Sequence, residues 1–182
     1  MSEQPVDPGP STPDTADWTW VLHRPCPDCG FDAAGTRVSD VPAMLRDAGA
    51  RYAAALGREE ARTRPREGVW STLEYACHVR DVCEVMRGRL EQVLAGGGEL
   101  VRFADWDQDE TALDRQYWRS DPAVVAREVT QACAAAATAY ALPTGTQWEW
   151  PAERSNGSTF SARTLALYFA HDVHHHLWDV TA

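Results

Sequence analysis

Four of the six histidines in this 182-residue chain, His171, His174, His175 and His176, lie within six consecutive residues. Imidazoles crowded this way serve metal binding better than packing, because each offers a neutral nitrogen lone pair to a divalent ion. If the segment is helical, residues four apart share a face with Cβ atoms about 6 Å apart, so His171 and His175 can grip one ion. His171 and His174 can also pair, on the opposite flank. A further ligand has to come from another element, and His78 is the internal candidate, lying beside an apolar stripe with Tyr75 and Val82. Three neutral imidazoles leave one position open on a divalent ion, and a water or thiol placed there loses its proton near neutral pH.

A second group of ligand types sits near the start. His23, Cys26 and Cys29 form His-x2-Cys-x2-Cys within Cys-Pro-Asp-Cys-Gly, a tight turn. Zinc needs a fourth donor, and no second Cys-x-x-Cys exists, so Cys77, Cys83 or Cys133 would have to fold back. The readings open are a structural turn with inert thiols, a second metal site and a redox pair, the last without βαβ context. Five cysteines without an export signal point to reduced thiols and a cytoplasmic location.

The elements that must position these groups are mostly helices. The first runs from Ser39 or Asp40, with Pro42 in its opening turn, to Leu56 and Gly57. The second opens on the capping-box pattern Ser71-Thr-Leu-Glu74 and carries Tyr75, Val79, Val82, Met86, Leu90 and Val93 at spacings of three and four. It stops at Gly96-Gly97-Gly98. The third has Asp121 as N-cap and Pro122 behind it and ends by Pro143. The fourth spans about Ser161 to Val180, so the histidine run lies on it, and Leu177, Trp178 and Val180 continue its apolar pattern. A short extra helix fits Asp109 to Tyr117, and Thr144 to Thr159 reads as a loop or short hairpin. Four amphipathic segments bury their stripes most simply as an all-α four-helix bundle. Residues 1–17, with prolines at 5, 8, 10 and 13, are expected to be a disordered tail, and 18–37 an irregular extension carrying the Cys turn. Residues 38–182 are then the bundle, and Asp17 to Leu22 is read as an extended anchor.

Composition narrows the partners. Seventeen basic and 27 acidic residues leave a net charge of −10, which repels a polyanion, so nucleic acid is not expected. No stretch of about 18 apolar residues exists, so no membrane partner is expected either. All basic residues are arginine, and lysine and isoleucine are absent, a usage that suggests a GC-rich genome.

The stretch Val69-Trp-Ser-Thr-Leu-Glu-Tyr-Ala-Cys-His78-Val-Arg-Asp, followed about 90 residues later by Tyr-Phe-Ala-His171-Asp-Val-His-His175-His-Leu, resembles the DinB/YfiT-like superfamily of metal-binding four-helix bundles. The resemblance spans roughly residues 38–180. It implies an up-down-down-up bundle in which His78, His171 and His175 hold zinc or nickel, with His174 as the family's variable extra histidine. It also implies small-molecule chemistry, since the superfamily includes thiol-dependent S-transferases and a mycothiol-dependent maleylpyruvate isomerase. A low-molecular-weight thiol such as mycothiol is then the expected co-substrate, in a monomer or homodimer. A metal-dependent hydrolase, a non-catalytic metal-stapled bundle and a metal-free helical interaction module are the other readings. Arg80, Asp81, Asp172 and Asp179 flank the histidines and are candidates to orient an imidazole or line a pocket. Trp106, Asp107 and Asp109 fall where a bundle mouth could be, and Arg154 and Arg163 could meet an anionic substrate.

Overall fold

The computed structural model describes residues 6–181. Five α-helices form: α1 (Val41–Ala55), α2 (Thr72–Ala95), α3 (Gln108–Asp114), α4 (Pro122–Tyr140) and α5 (Ala162–Thr181). Four of the five starts are set by side chains that satisfy the first amides, while α1 continues from the 3₁₀ turn Val38–Asp40 with Pro42 in its first turn and no side-chain cap. Ser71 accepts from the Glu74 amide, and the Glu74 carboxylate accepts in return from the Ser71 amide, closing the expected capping box. Arg64 clamps that buried carboxylate from outside the helix. Asp121 accepts from the Ala123 and Val124 amides to open α4, and Asp107 from Glu110 to open α3. At the start of α5, Ser161 and Thr164 exchange amide-to-hydroxyl bonds. Helix α2 ends where Gly97 and Gly98 turn left-handed, at φ 62° and 101°.

Helices α1, α2, α4 and α5 make the bundle, and their pairing follows from who touches whom. Arg80 meets Glu128, Cys83 meets Cys133, and the Tyr140 hydroxyl donates to the Met86 carbonyl, so α2 and α4 run parallel. Tyr52 donates to the Val173 carbonyl and Arg58 to that of Val180, so α1 and α5 also run parallel. Tyr75 packs on His176 while His78 meets Asp172, which sets α2 antiparallel to α5. Each of α1 and α2 packs against both α4 and α5, so α1 lies diagonal to α2 and α4 diagonal to α5. This is the up-down-down-up order. The α1–α4 approach is close because Gly49 faces Thr130 and Cys133 and the α4 face is alanine-rich, with Ala136 and Ala137 fully buried.

A small sheet adds what the sequence did not disclose. The strand β1 (Val101–Phe103) pairs parallel with β2 (Pro151–Arg154), which pairs antiparallel with β3 (Thr159–Ser161) through a turn at Asn156-Gly157. Phe103, Ala152 and Phe160 point inward and join the core. The hairpin reading of the 144–159 region therefore holds, but its third strand comes from about 50 residues earlier.

The extension before α1 lies against the body. Trp18–Leu22 is a single 3₁₀ turn rather than an extended strand, because the Asp17 carboxylate accepts from the Thr19 amide and starts a turn. Of the segment read as a disordered tail, residues 1–5 fall outside the described residues. Residues 6–17 carry no helix or strand, and the Thr12 amide donates to the Gly68 carbonyl.

Candidate metal centre

Helix α5 carries two ligand pairs at i,i+4 spacing, offset by one residue: His171 with His175, and Asp172 with His176. One residue rotates a helix by about 100°, so the two pairs face different neighbours. The structure sends each pair to a different partner.

Asp172 and His176 face α2. Together with His78 they form a group whose ligand atoms all lie within 4.8 Å of one another. His78 is fully buried, and its Nε2 lies 3.4 Å from Asp172 Oδ1. The contact lacks hydrogen-bond geometry, so both atoms are buried without a hydrogen-bond partner. Such orphans are costly unless something else satisfies them. His176 Nε2 lies 3.8 Å from the same carboxylate oxygen, and its Nδ1 donates to Asp179 Oδ2 at 2.9 Å. The carboxylate thereby fixes the tautomer that leaves Nε2 bare, the usual second partner of a ligating histidine. Burial lowers the His78 pKa and keeps the imidazole neutral, while the neighbouring histidines hold the Asp172 carboxyl ionised against the opposing effect of burial. Burial opposes protonation of His176 as well, but Asp179 and Asp172 outweigh it and raise its pKa. Two unpartnered buried donors and an oriented third fit a divalent ion with three protein ligands.

Aromatic rings enclose this group. Trp106 stacks on His78 at 5.5 Å, Trp70 tilts against the same ring at 5.3 Å, and Tyr75 lies 5.1 Å from His176. In front of it opens a cavity of about 1120 Å³, lined among others by Asp172, His176, Trp106, Tyr168, Arg89 and Arg154. Arg89 is buried, donates to the Ala104 carbonyl, and lies over the Phe103 ring. Burial, and next the nearby Arg154, lower its pKa below the usual arginine value. Arg89 and Arg154 are the cations of a lining that also carries seven carboxylates, and Arg154 Nε lies 3.5 Å from Asp105.

His171 and His175 face the N-terminal extension instead. Their ligand atoms and the two thiols of Cys26 and Cys29 all lie within 4.8 Å of one another. The three histidines that the resemblance assigns to one ion thus fall into two groups, His78 in one and His171 with His175 in the other. His23 is exposed and belongs to neither, its amide closing the Trp18–Leu22 turn. His174 meets the Cys29 carbonyl through Nε2 at 3.2 Å.

The remaining candidates disperse. Asp81 is buried at the α2–α3 side, where it accepts from Arg80, Arg115 and the Tyr117 hydroxyl, and it acts on His78 through its charge rather than through a hydrogen bond or ion pair. Arg80 also reaches Glu128, tying α2 to α4. Asp107 caps α3, Asp109 meets Ser11, and Arg163 pairs with Glu149 on the surface. The thiols of Cys83 and Cys133 are 3.6 Å apart in the core, and burial pushes Cys77 up to about 11. Sequence reading passed over Arg89, whose signal was its position three residues after Met86 on the core stripe of α2.

The DinB superfamily model matches residues 43–180, and the chain belongs to that superfamily. Among solved structures it is similar to YfiT from Bacillus subtilis, described as a probable metal-dependent hydrolase with an unusual four-helix bundle topology. The two share 16% identity, with a TM-score of 0.68 over 79% of this chain and 83% of that one. Among curated proteins no sequence matches. No helix among the described residues is long and apolar enough to cross a membrane.

Proposed function

We propose that the chain is a metal-dependent enzyme acting on a small electrophile, with the ion held by His78, Asp172 and His176. The observation that supports this most directly is the pair of buried, unpartnered atoms His78 Nε2 and Asp172 Oδ1 at the edge of a wide cavity. A divalent ion, zinc or nickel, would supply Lewis acidity there and lower the pKa of a thiol or water. The protein's own groups do the rest. Asp179 keeps the proton on His176 Nδ1, so Nε2 stays a donor. Trp106 and Trp70 cover both sides of His78 and keep bulk water from its ring. Arg89 and Arg154, with Tyr168 beside Arg154, offer hydrogen-bond donors to a polar group of the substrate.

Thiol transfer, with mycothiol or a similar thiol as nucleophile, is the first reading. The cavity, at about 1120 Å³, stands at the upper end of ligand-site volumes and has room for a thiol beside a small electrophile. Hydrolysis is the second reading, favoured by the fold shared with YfiT. A reducing cytoplasmic setting agrees with the five free cysteines.

The test is to load the protein with zinc or nickel and follow both loss of thiol and cis-to-trans conversion of electrophilic maleate-type acids, with ester hydrolysis in parallel. Conjugation or isomerisation that needs both metal and thiol, and disappears in His176→Ala with the helical signal intact, is the expected result. Ester turnover without thiol would select the hydrolase. Activity unchanged in His176→Ala and Asp172→Ala would overturn the site.

A further inference from the structure

The knuckle of the extension and the histidine pair of α5 complete each other. Cys26 and Cys29 supply two thiols, and His171 and His175, about 145 residues further along, supply two imidazoles. We infer that Cys26, Cys29, His171 and His175 form a structural zinc site that clamps the N-terminal extension onto the last helix. This site is separate from the His78, Asp172 and His176 group and does not rest on the function proposed for it.

Three observations carry the assignment. First, the donor set is complete and closed: two sulfurs and two nitrogens, the set for tetrahedral structural zinc, and soft enough to exclude magnesium or calcium. Cys26 Sγ lies 3.5 Å from His175 Nδ1, which equals the sulfur-to-nitrogen edge of roughly 3.5 Å in a tetrahedron with the usual zinc bond lengths. Second, His171 Nε2 is buried with no hydrogen-bond partner. Third, the knuckle is already shaped as a ligand loop. The Cys26 amide donates to the Phe31 carbonyl, the Gly30 amide donates back to the Cys26 carbonyl, and Gly30 sits at φ 74°.

The surroundings support the pair rather than only the cysteines. Phe31 packs its ring edge on His171 at 5.6 Å, and Trp18 lies 5.7 Å from His171 and 5.2 Å from His175. The His174 contact to the Cys29 carbonyl fixes the knuckle to the same helix. Residues 13–18 line the cavity, so holding the knuckle also holds that wall of the cavity in place.

The experiment is cobalt substitution of the full chain, purified under reducing conditions and stripped of metal. The expected result is an intense thiolate-to-cobalt absorption in the near ultraviolet with tetrahedral bands in the visible. Cys26→Ser combined with Cys29→Ser should abolish the thiolate band and remove one ion per chain. His176→Ala should leave the band intact, so loss of the His78 group and loss of this site are told apart. Because the cysteine variant could fail to fold, X-ray absorption of the wild-type zinc protein gives an independent reading. Sulfur scatterers at about 2.3 Å support the site. A zinc spectrum with nitrogen and oxygen only, a Cys26–Cys29 disulfide in the reduced preparation, or a thiolate band that survives the double substitution would overturn it.

Discussion

A single residue step on α5 separates two chemistries. His171 and His175 point to sulfur donors, Asp172 and His176 to His78 and the cavity, though both pairs have the same spacing. Helical periodicity made His171-x-x-x-His175 legible in the sequence, and it marks Asp172-x-x-x-His176 equally well. What the sequence could not supply was the rotation of α5 about its axis, which is decided by how Leu165, Phe169, Val173 and Leu177 pack into the core. The Cys26-x-x-Cys29 knuckle was legible as half a site for the same reason. The structure brings His171 and His175 to it from beyond any local window, while His23 is exposed and Cys77, Cys83 and Cys133 are buried in the bundle core. Asp179 gives this scale its prediction. Asp179→Asn keeps the side chain's shape but removes the ionised acceptor on His176 Nδ1. The affinity of the His78 group for zinc should fall about 10- to 100-fold, read by competition with a chromophoric chelator, while the far-ultraviolet signal stays unchanged. Affinity equal to wild type would mean that Asp179 does not orient the ligand.

At the scale of elements, the helices were readable because their ends announce themselves. Capping residues Ser71, Asp121 and Asp107 stand where the structure uses them, and Gly96 to Gly98 stop α2. The sheet was not readable, since β1 is three residues long and its partner strand is about 50 residues away, leaving no local period to detect. The caps are testable. Ser71→Ala removes the acceptor for the Glu74 amide and a partner of its buried carboxylate, and should cost about 1 kcal/mol. For a chain of this size that lowers the melting temperature by roughly 2–4 °C. Gly49 tests the α1–α4 contact. A Cβ there would sit 3.0 Å from the Cys133 Cβ and 3.3 Å from the Thr130 backbone. Gly49→Val adds two methyl groups that the interface cannot take, and should cost about 1–3 kcal/mol through overpacking, measured by urea unfolding. A neutral result would show that the two helices can separate without penalty.

For the whole molecule, the bundle orders its four helices well, while the extension is held by less. Residues 18–37 bury Val21, Phe31 and Ala33 and rest on α5 through aromatic rings, but no strand pairing ties them down. A zinc bridge from Cys26 to His175 spans 149 residues and restricts most of the chain in the unfolded state. By the chain-entropy argument used for disulfides, closing a loop this long contributes about 5 kcal/mol. Stripping the metal with a strong chelator should therefore lower the melting temperature by roughly 10–20 °C. Two variants locate the origin of that drop. In His176→Ala the drop should persist, because the cysteine site is intact. With Cys26 and Cys29 both changed to serine, the protein should start near the stripped wild-type value, respond little to chelator, and be cut by protease within the extension. If the drop instead vanishes in His176→Ala and survives loss of both thiols, the His78 group is the staple. The extension would then be held by its aromatic contacts alone, and an ion at His78, Asp172 and His176 would have a structural role that competes with the enzymatic one.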